Sequence, residues 1–168
     1  FDSAGFAEDV AVTGDYLAIA DGANGLVIVD RFPLAAMTLA GALDTPGEAR
    51  AVALGGSFAY LADGSGGLRI IDISQPDAPH ETGYLDAAWP ALDLALSGNL
   101  LYVAAGTFGV HVISVADPSA PFEIAAYETP GFATDVAPGA GEVYVADWQG
   151  GLWIFSATAP MYRLCLPI

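Results

Sequence analysis

The chain has 168 residues, with 20 Asp and Glu set against four Arg and no Lys, for a formal net charge of −16. That balance argues against a nucleic-acid partner, because such binding rests on neutralising phosphates with basic side chains, and it disfavours anionic membrane surfaces. The length suits one well-filled domain, and no apolar run reaches the roughly 18 residues that a membrane span requires, so membrane insertion is not expected.

The first residues, FDSAGFAEDV, carry neither a starting methionine nor a basic, apolar signal region, which places any targeting segment outside this stretch or has it removed. FDSAGF aligns with YETPGF from Tyr127 and reads as the end of a preceding blade. The segment Asp21 to Asp30, DGANGLVIVD, then returns as DGSGGLRIID from Asp63, AGTFGVHVIS from Ala105 and DWQGGLWIFS from Asp147, always 42 residues on. A fixed period of that size means a repeat architecture. The units are 7–48, 49–90, 91–132 and 133–168, within a single repeat domain over 1–168.

Each unit predicts four short strands. The first runs Asp9 to Thr13, with counterparts from Ala51, Asp93 and Asp135. A tight turn follows, containing Gly14, Gly56, Gly98 or Gly141, where positive φ is needed. The second strand is Tyr16 to Ala20 and its copies FAYLA, LLYVA and EVYVA, rich in β-branched and aromatic residues. The third is the LVIVD segment itself. The fourth follows a proline-bearing turn and runs through His80 to Leu85 or Phe122 to Tyr127.

Comparing copies isolates positions that tolerate one residue type. Alanine fills all four copies at Ala20, Ala62, Ala104 and Ala146, and again at Ala11, Ala53, Ala95 and Ala137. Small side chains of that kind suit crowded strands near the axis of a radial assembly. Glycine fills all four at Gly25, Gly67, Gly109 and Gly151, as a hairpin position with positive φ demands.

LVIVD at Leu26 to Asp30, DGSGGLRIIDIS from Asp63, and the strand starts at Asp9 and Asp93 resemble the LVIVD repeat, a β-propeller repeat of secreted and surface proteins. The resemblance spans all four periods. It weakens in the fourth, where Pro138 interrupts the first strand and Ser156 replaces the closing aspartate, as Ser114 already does in the third. It implies a fold and an extracellular or cell-surface setting, and no settled activity.

The expected architecture is therefore an all-β propeller of four 42-residue repeats, each a four-stranded antiparallel blade, forming part of a larger propeller. The alternatives are a closed four-bladed ring or half of an eight-bladed assembly built by two chains, and an open arc is expected to self-associate through its free edges.

In an up-and-down blade the loops between second and third strands share an end with the connections entering the first strand. That end gathers Asp21, Asp63 and Asp147 with Asp9, Asp93 and Asp135. Asp9, Asp21, Asp93, Asp135 and Asp147 are candidate ligands for a hard cation such as calcium; no other cofactor is expected. The competing reading makes them turn formers and acceptors for backbone amides, and Ala51 and Ala105 break any four-fold ring of identical sites. Aromatic residues share the end. Phe108, Trp148 and Trp89 are candidates for contact with a protein or glycan, whereas Phe6 and Phe132 recur at equivalent positions and read as packing between blades.

Catalysis finds little support: His80 and His111 occupy different strands, away from any nucleophile arrangement, and Cys165 lies in an apolar run as a small core residue. The favoured function is a non-catalytic extracellular binding scaffold. The competing class is a calcium-dependent propeller enzyme, hydrolase- or lactonase-like, with axial carboxylates.

Overall fold

The computed structural model describes residues 1–156 and the backbone of 163–164; Cys165 lies outside the described residues. Blade 1 consists of β1 (Asp9–Thr13), β2 (Tyr16–Ala20), β3 (Leu26–Asp30) and β4 (Thr38–Leu43). Blade 2 consists of β5 (Ala51–Gly55), β6 (Phe58–Ala62), β7 (Leu68–Asp72) and β8 (His80–Leu85). Blade 3 follows with β9 (Asp93–Ser97), β10 (Leu100–Ala104), β11 (Val110–Ser114) and β12 (Phe122–Tyr127). Blade 4 has β13 (Asp135–Pro138), β14 (Glu142–Asp147), β15 (Gly151–Ser156) and β16 (Arg163–Leu164). Among the described residues, helix is confined to two 3-10 turns, Leu34–Ala36 and Trp148–Gly150.

Every sheet is an antiparallel meander in sequence order. The first strands pack against one another in series, β1 on β5, β5 on β9 and β9 on β13, so the blades are arranged radially with their first strands innermost. This is a propeller arc. The turns between first and second strands hold Gly14, Gly56 and Gly98 at φ of +51°, +59° and +60°, as their two-residue loops require. The third and fourth strands slip register at Ile28/Val29, Ile70/Ile71 and Val112/Ile113, a bulge repeated in three blades that twists the outer strand.

The core lies between blades. One cluster joins Leu26 and Ile28 of blade 1 to Val52, Leu61 and Ile71 of blade 2. A second joins Tyr60, Leu68 and Ile70 to Leu94, Leu101 and Ile113, and a third joins Tyr102, Val110 and Val112 to Val136, Val143, Trp153 and Phe155. Alternation supplies both faces, because successive side chains of a strand point to opposite sides. The repeated alanines match this packing: Ala20, Ala62 and Ala104 are fully buried.

Backbone bridges stitch the interfaces. Gly22 and Ala49 exchange two hydrogen bonds, as do Gly64 and Ala91, and Gly106 and Ala133. Gly25 shows why its column admits glycine alone: its φ is +69°, and a Cβ there would lie 2.4 Å from the Leu43 carbonyl oxygen.

Candidate functional site

The loops joining second to third strands, and the segments entering each first strand, converge at one end of the arc. Their aspartates are held in two layers. In the loop layer, Asp21, Asp63 and Asp147 are fully buried. Oδ1 of Asp63 accepts the Thr45 hydroxyl at 2.5 Å and Oδ2 the Gly47 amide at 2.8 Å. Asp147 repeats the arrangement with the Thr129 hydroxyl at 2.9 Å and the Gly131 amide at 2.8 Å. Asp21 accepts the Ser3 hydroxyl at 2.6 Å and the Asn24 side-chain amide at 2.8 Å. Burial pushes the Asp63 carboxyl above its ordinary range, against the pull of the Thr45 and Gly47 bonds and of Arg69.

The third copy lacks this latch, and the loss is concerted. Ala105 stands for the aspartate, Ala87 for the hydroxyl donor and Trp89 for the glycine. A Cβ on Gly47 would lie 1.9 Å from the Asp63 carbonyl oxygen, so a side chain fits there only when the loop opposite is rebuilt. Trp89 occupies this position at 7% exposure, stacked on His111 with ring centroids 4.2 Å apart. His111 in turn bonds Glu123 through Nδ1 at 2.8 Å. The column that contains His111 reads Val27, Arg69, His111 and Trp153, all buried. Arg69 donates to the Gly66 carbonyl at 2.6 Å and to Asp86 at 2.7 Å, and its Nε lies 3.8 Å from Asp63.

The inner layer consists of Asp9, Asp93 and Asp135 at the starts of β1, β9 and β13. Asp9 accepts the Val52 amide and Asp93 the Val136 amide, each on the following blade. Asp135 is exposed. Burial, with the Asp135 and Asp9 carboxylates nearby, pushes Asp93 up to about 6 even though the Val136 amide opposes the shift. Pairing of Asp9 with Ala20 and of Asp135 with Ala146 puts the two layers side by side. Among the described residues no three His, Cys, Asp or Glu side chains cluster as a metal site.

The aromatic candidates part company. Trp89 is buried rather than presented. Phe108 and Trp148 are exposed, Trp148 to 74%, and Phe6 is exposed as well instead of packing between blades. Phe132 meets Trp148 edge-on at 6.2 Å. Trp148 occupies the column that is glycine in the other copies, Gly22, Gly64 and Gly106, and it keeps their positive φ, at +23°. On the same end a groove of about 430 Å³ is lined by Pro46, Glu48, Arg50, Ser65, Pro90 and Leu92.

The model of the LVIVD repeat matches four times, over residues 4–45, 46–87, 90–129 and 130–155. The chain belongs to the LVIVD repeat family. Its backbone is similar to the crystal structure of the computationally designed Ika4 protein, with TM-score 0.75 and 12% identity over 92% of this chain and 93% of that one. It is similar also to the computationally designed Ika8 protein, with TM-score 0.72 and 11% identity over 92% of this chain and 47% of that one. At such identities the likeness concerns the fold. A comparison with curated proteins found no match. For an LVIVD chain, then, the four-blade arc is the frame, and what differs at its loop-bearing end is the copy-specific chemistry of Phe108, Trp148 and the Trp89–His111 pair. The partners of the buried aspartates escape a reading of single columns, although the joint change at Ala87, Trp89 and Ala105 marks them once columns are compared pairwise.

Proposed function

We propose that this LVIVD chain is a non-catalytic binding scaffold outside the cell, contacting a protein or glycan through the loop-bearing end of the arc. The observation that carries the reading is Trp148: a large aromatic side chain, 74% exposed, on a backbone position where the other copies use glycine. A bulky residue held at positive φ costs of order 1–3 kcal/mol and persists where it serves contact with something outside the core. Phe108 and Phe6 add apolar area on the same end, and aromatic rings flanked by polar groups are the usual anchors of recognition surfaces. The carboxylates at this end favour the same reading, since Asp9, Asp21, Asp93 and Asp147 accept bonds from backbone or side-chain donors of the protein itself.

The test is to probe arrays of glycans and of secreted and cell-surface proteins with the chain and with its Phe108→Ala/Trp148→Ala variant. A ligand retained by the parent and lost by the folded variant supports the proposal. Equal capture by both, or no capture by either, removes this end of the arc as the binding face.

A further inference from the structure

Blade 1 satisfies its loop aspartate differently from blades 2 and 4. Asp63 and Asp147 each take a threonine hydroxyl on Oδ1 and a backbone amide on Oδ2, the latter from Gly47 and Gly131. Asp21 likewise takes the Ser3 hydroxyl on Oδ1, but its Oδ2 accepts the side-chain amide of Asn24 at 2.8 Å. The column of Asn24 reads Gly66, Phe108 and Gly150 in the other copies, so this donor belongs to blade 1. Asn24 is exposed while Asp21 beneath it is fully buried.

The residue after Asn24 is a glycine that the fold cannot exchange. Gly25 has φ of +69°, and a Cβ there would collide with the Leu43 carbonyl oxygen. Asparagine is thermolabile, and most so before glycine, where no side chain screens the backbone nitrogen. The Gly25 N–H is held by the Gly22 carbonyl at 3.1 Å, toward the long end of the hydrogen-bond range. The second asparagine of the chain, Asn99, precedes Leu100, which carries a side chain and is paired in the sheet with both Ser97 and Ser114. The chain thus contains its own control.

We propose that Asn24 is a site of spontaneous hydrolytic deamidation, and that its conversion unlatches the blade 1 loop. The Gly25 nitrogen bonds to Cγ of Asn24, and Nδ2 leaves as ammonia, carrying the proton that the Gly25 nitrogen gives up. Water then opens the five-membered imide at either carbonyl, leaving aspartate or isoaspartate at position 24. Either product sets a carboxylate where a donor faced Asp21 Oδ2. An ionised carboxylate only accepts, so a hydrogen bond is exchanged for repulsion between like charges, one of them buried away from screening water. Isoaspartate also adds one carbon to the backbone directly before Gly25, where the fit is tightest.

The folded chain is incubated at mildly alkaline pH beside a synthetic peptide of residues 22–27, GANGLV. Peptide mapping by mass spectrometry reads a gain of one dalton at each asparagine. Conversion at Asn24 to a mixture of aspartate and isoaspartate is expected, with Asn99 intact over the same interval. Asn24 that stays amidated after the peptide has passed several half-lives overturns the site, as does conversion of Asn99 ahead of it. The structural consequence is read separately. The converted chain, isolated by anion exchange, and the Asn24→Asp variant are both expected to melt several degrees below the parent. Asn24→Gly is expected to melt close to the parent, because it reproduces blades 2 and 4: Gly5 occupies the column of Gly47 and Gly131 and lies against Asp21 Oδ2. Melting of the converted chain and of Asn24→Asp at the parent temperature overturns the unlatching.

Discussion

Oδ2 of Asp9 accepts a hydrogen bond of 2.9 Å from the backbone amide of Val52, a residue 43 positions ahead on the neighbouring blade. The tie replaces what a continuous sheet would supply, since β1 and β5 belong to separate sheets and cannot exchange ladder bonds. Asp9→Ala leaves that amide without its acceptor. A lost bond to a charged group costs about 1.5–3 kcal/mol, and a midpoint fall of several degrees in a thermal melt is expected. Asp9→Asn keeps an acceptor oxygen and is expected to recover more than half of the loss. Equal loss in both variants would show that charge, rather than the bond, sets the effect.

The concerted change in the third copy makes a sharper prediction. Trp89→Gly empties a buried aromatic site and is expected to cost about 3–5 kcal/mol. Adding Ala87→Thr and Ala105→Asp rebuilds the latch seen with Thr45, Gly47 and Asp63, and the triple variant is expected to be clearly more stable than Trp89→Gly alone. Denaturant midpoints at constant slope measure this. Independent, additive effects of the three substitutions would argue that the columns do not act together.

Asp93 sets a pH dependence of unusual sign. Its carboxyl is pushed up to about 6 in the folded chain, above the roughly 3.9 of an unfolded aspartate. The folded state therefore holds this proton more tightly than the unfolded state. Its contribution favours folding below about pH 4 and declines as pH rises toward 6, by of order 2 kcal/mol at most before screening by solvent. Asp93→Asn removes the titration while keeping an oxygen for the Val136 amide. Relative to the parent, the variant is expected to gain stability between pH 4 and 6 and hold the gain above. Parallel curves across that window would show that Asp93 does not titrate there.

The three tryptophans separate by environment. Trp89 and Trp153 are buried while Trp148 stands 74% exposed. Trp148→Phe is expected to blue-shift the emission and remove most of the acrylamide-quenchable fraction, with little change in melting temperature. Quenching that persists in the variant would mean that a second indole is open to solvent.

Strand positions were legible because each prediction was made four times over. The boundaries of β1, β2, β4's counterparts β8 and β12, and the positive φ of Gly25, Gly67 and Gly109 all follow from local demands repeated at one spacing. The bulges between third and fourth strands were not legible. A register slip depends on which residue meets which across the pair, and a shared period of 42 carries no information about that. The carboxylates illustrate the same limit. An aspartate before a glycine signals a turn, but the Thr45 and Gly47 partners of Asp63 come from the linker into the blade, 18 and 16 residues away. Trp89 misled for a related reason: its burial depends on a side chain that Ala105 lacks, in a loop on the same blade edge.

The ties between blades have a direction in the chain. Asp9 precedes Val52, Gly22 precedes Ala49, Gly106 precedes Ala133 and Asp93 precedes Val136. In a polypeptide made from its amino terminus, each blade therefore leaves the ribosome onto a neighbour that already displays the matching half of the contact. Growth then proceeds by accretion, with contacts made only to the unit before. Each completed blade waits with its forward apolar face uncovered, so the hazardous interval in synthesis recurs between the completion of one blade and the arrival of the next.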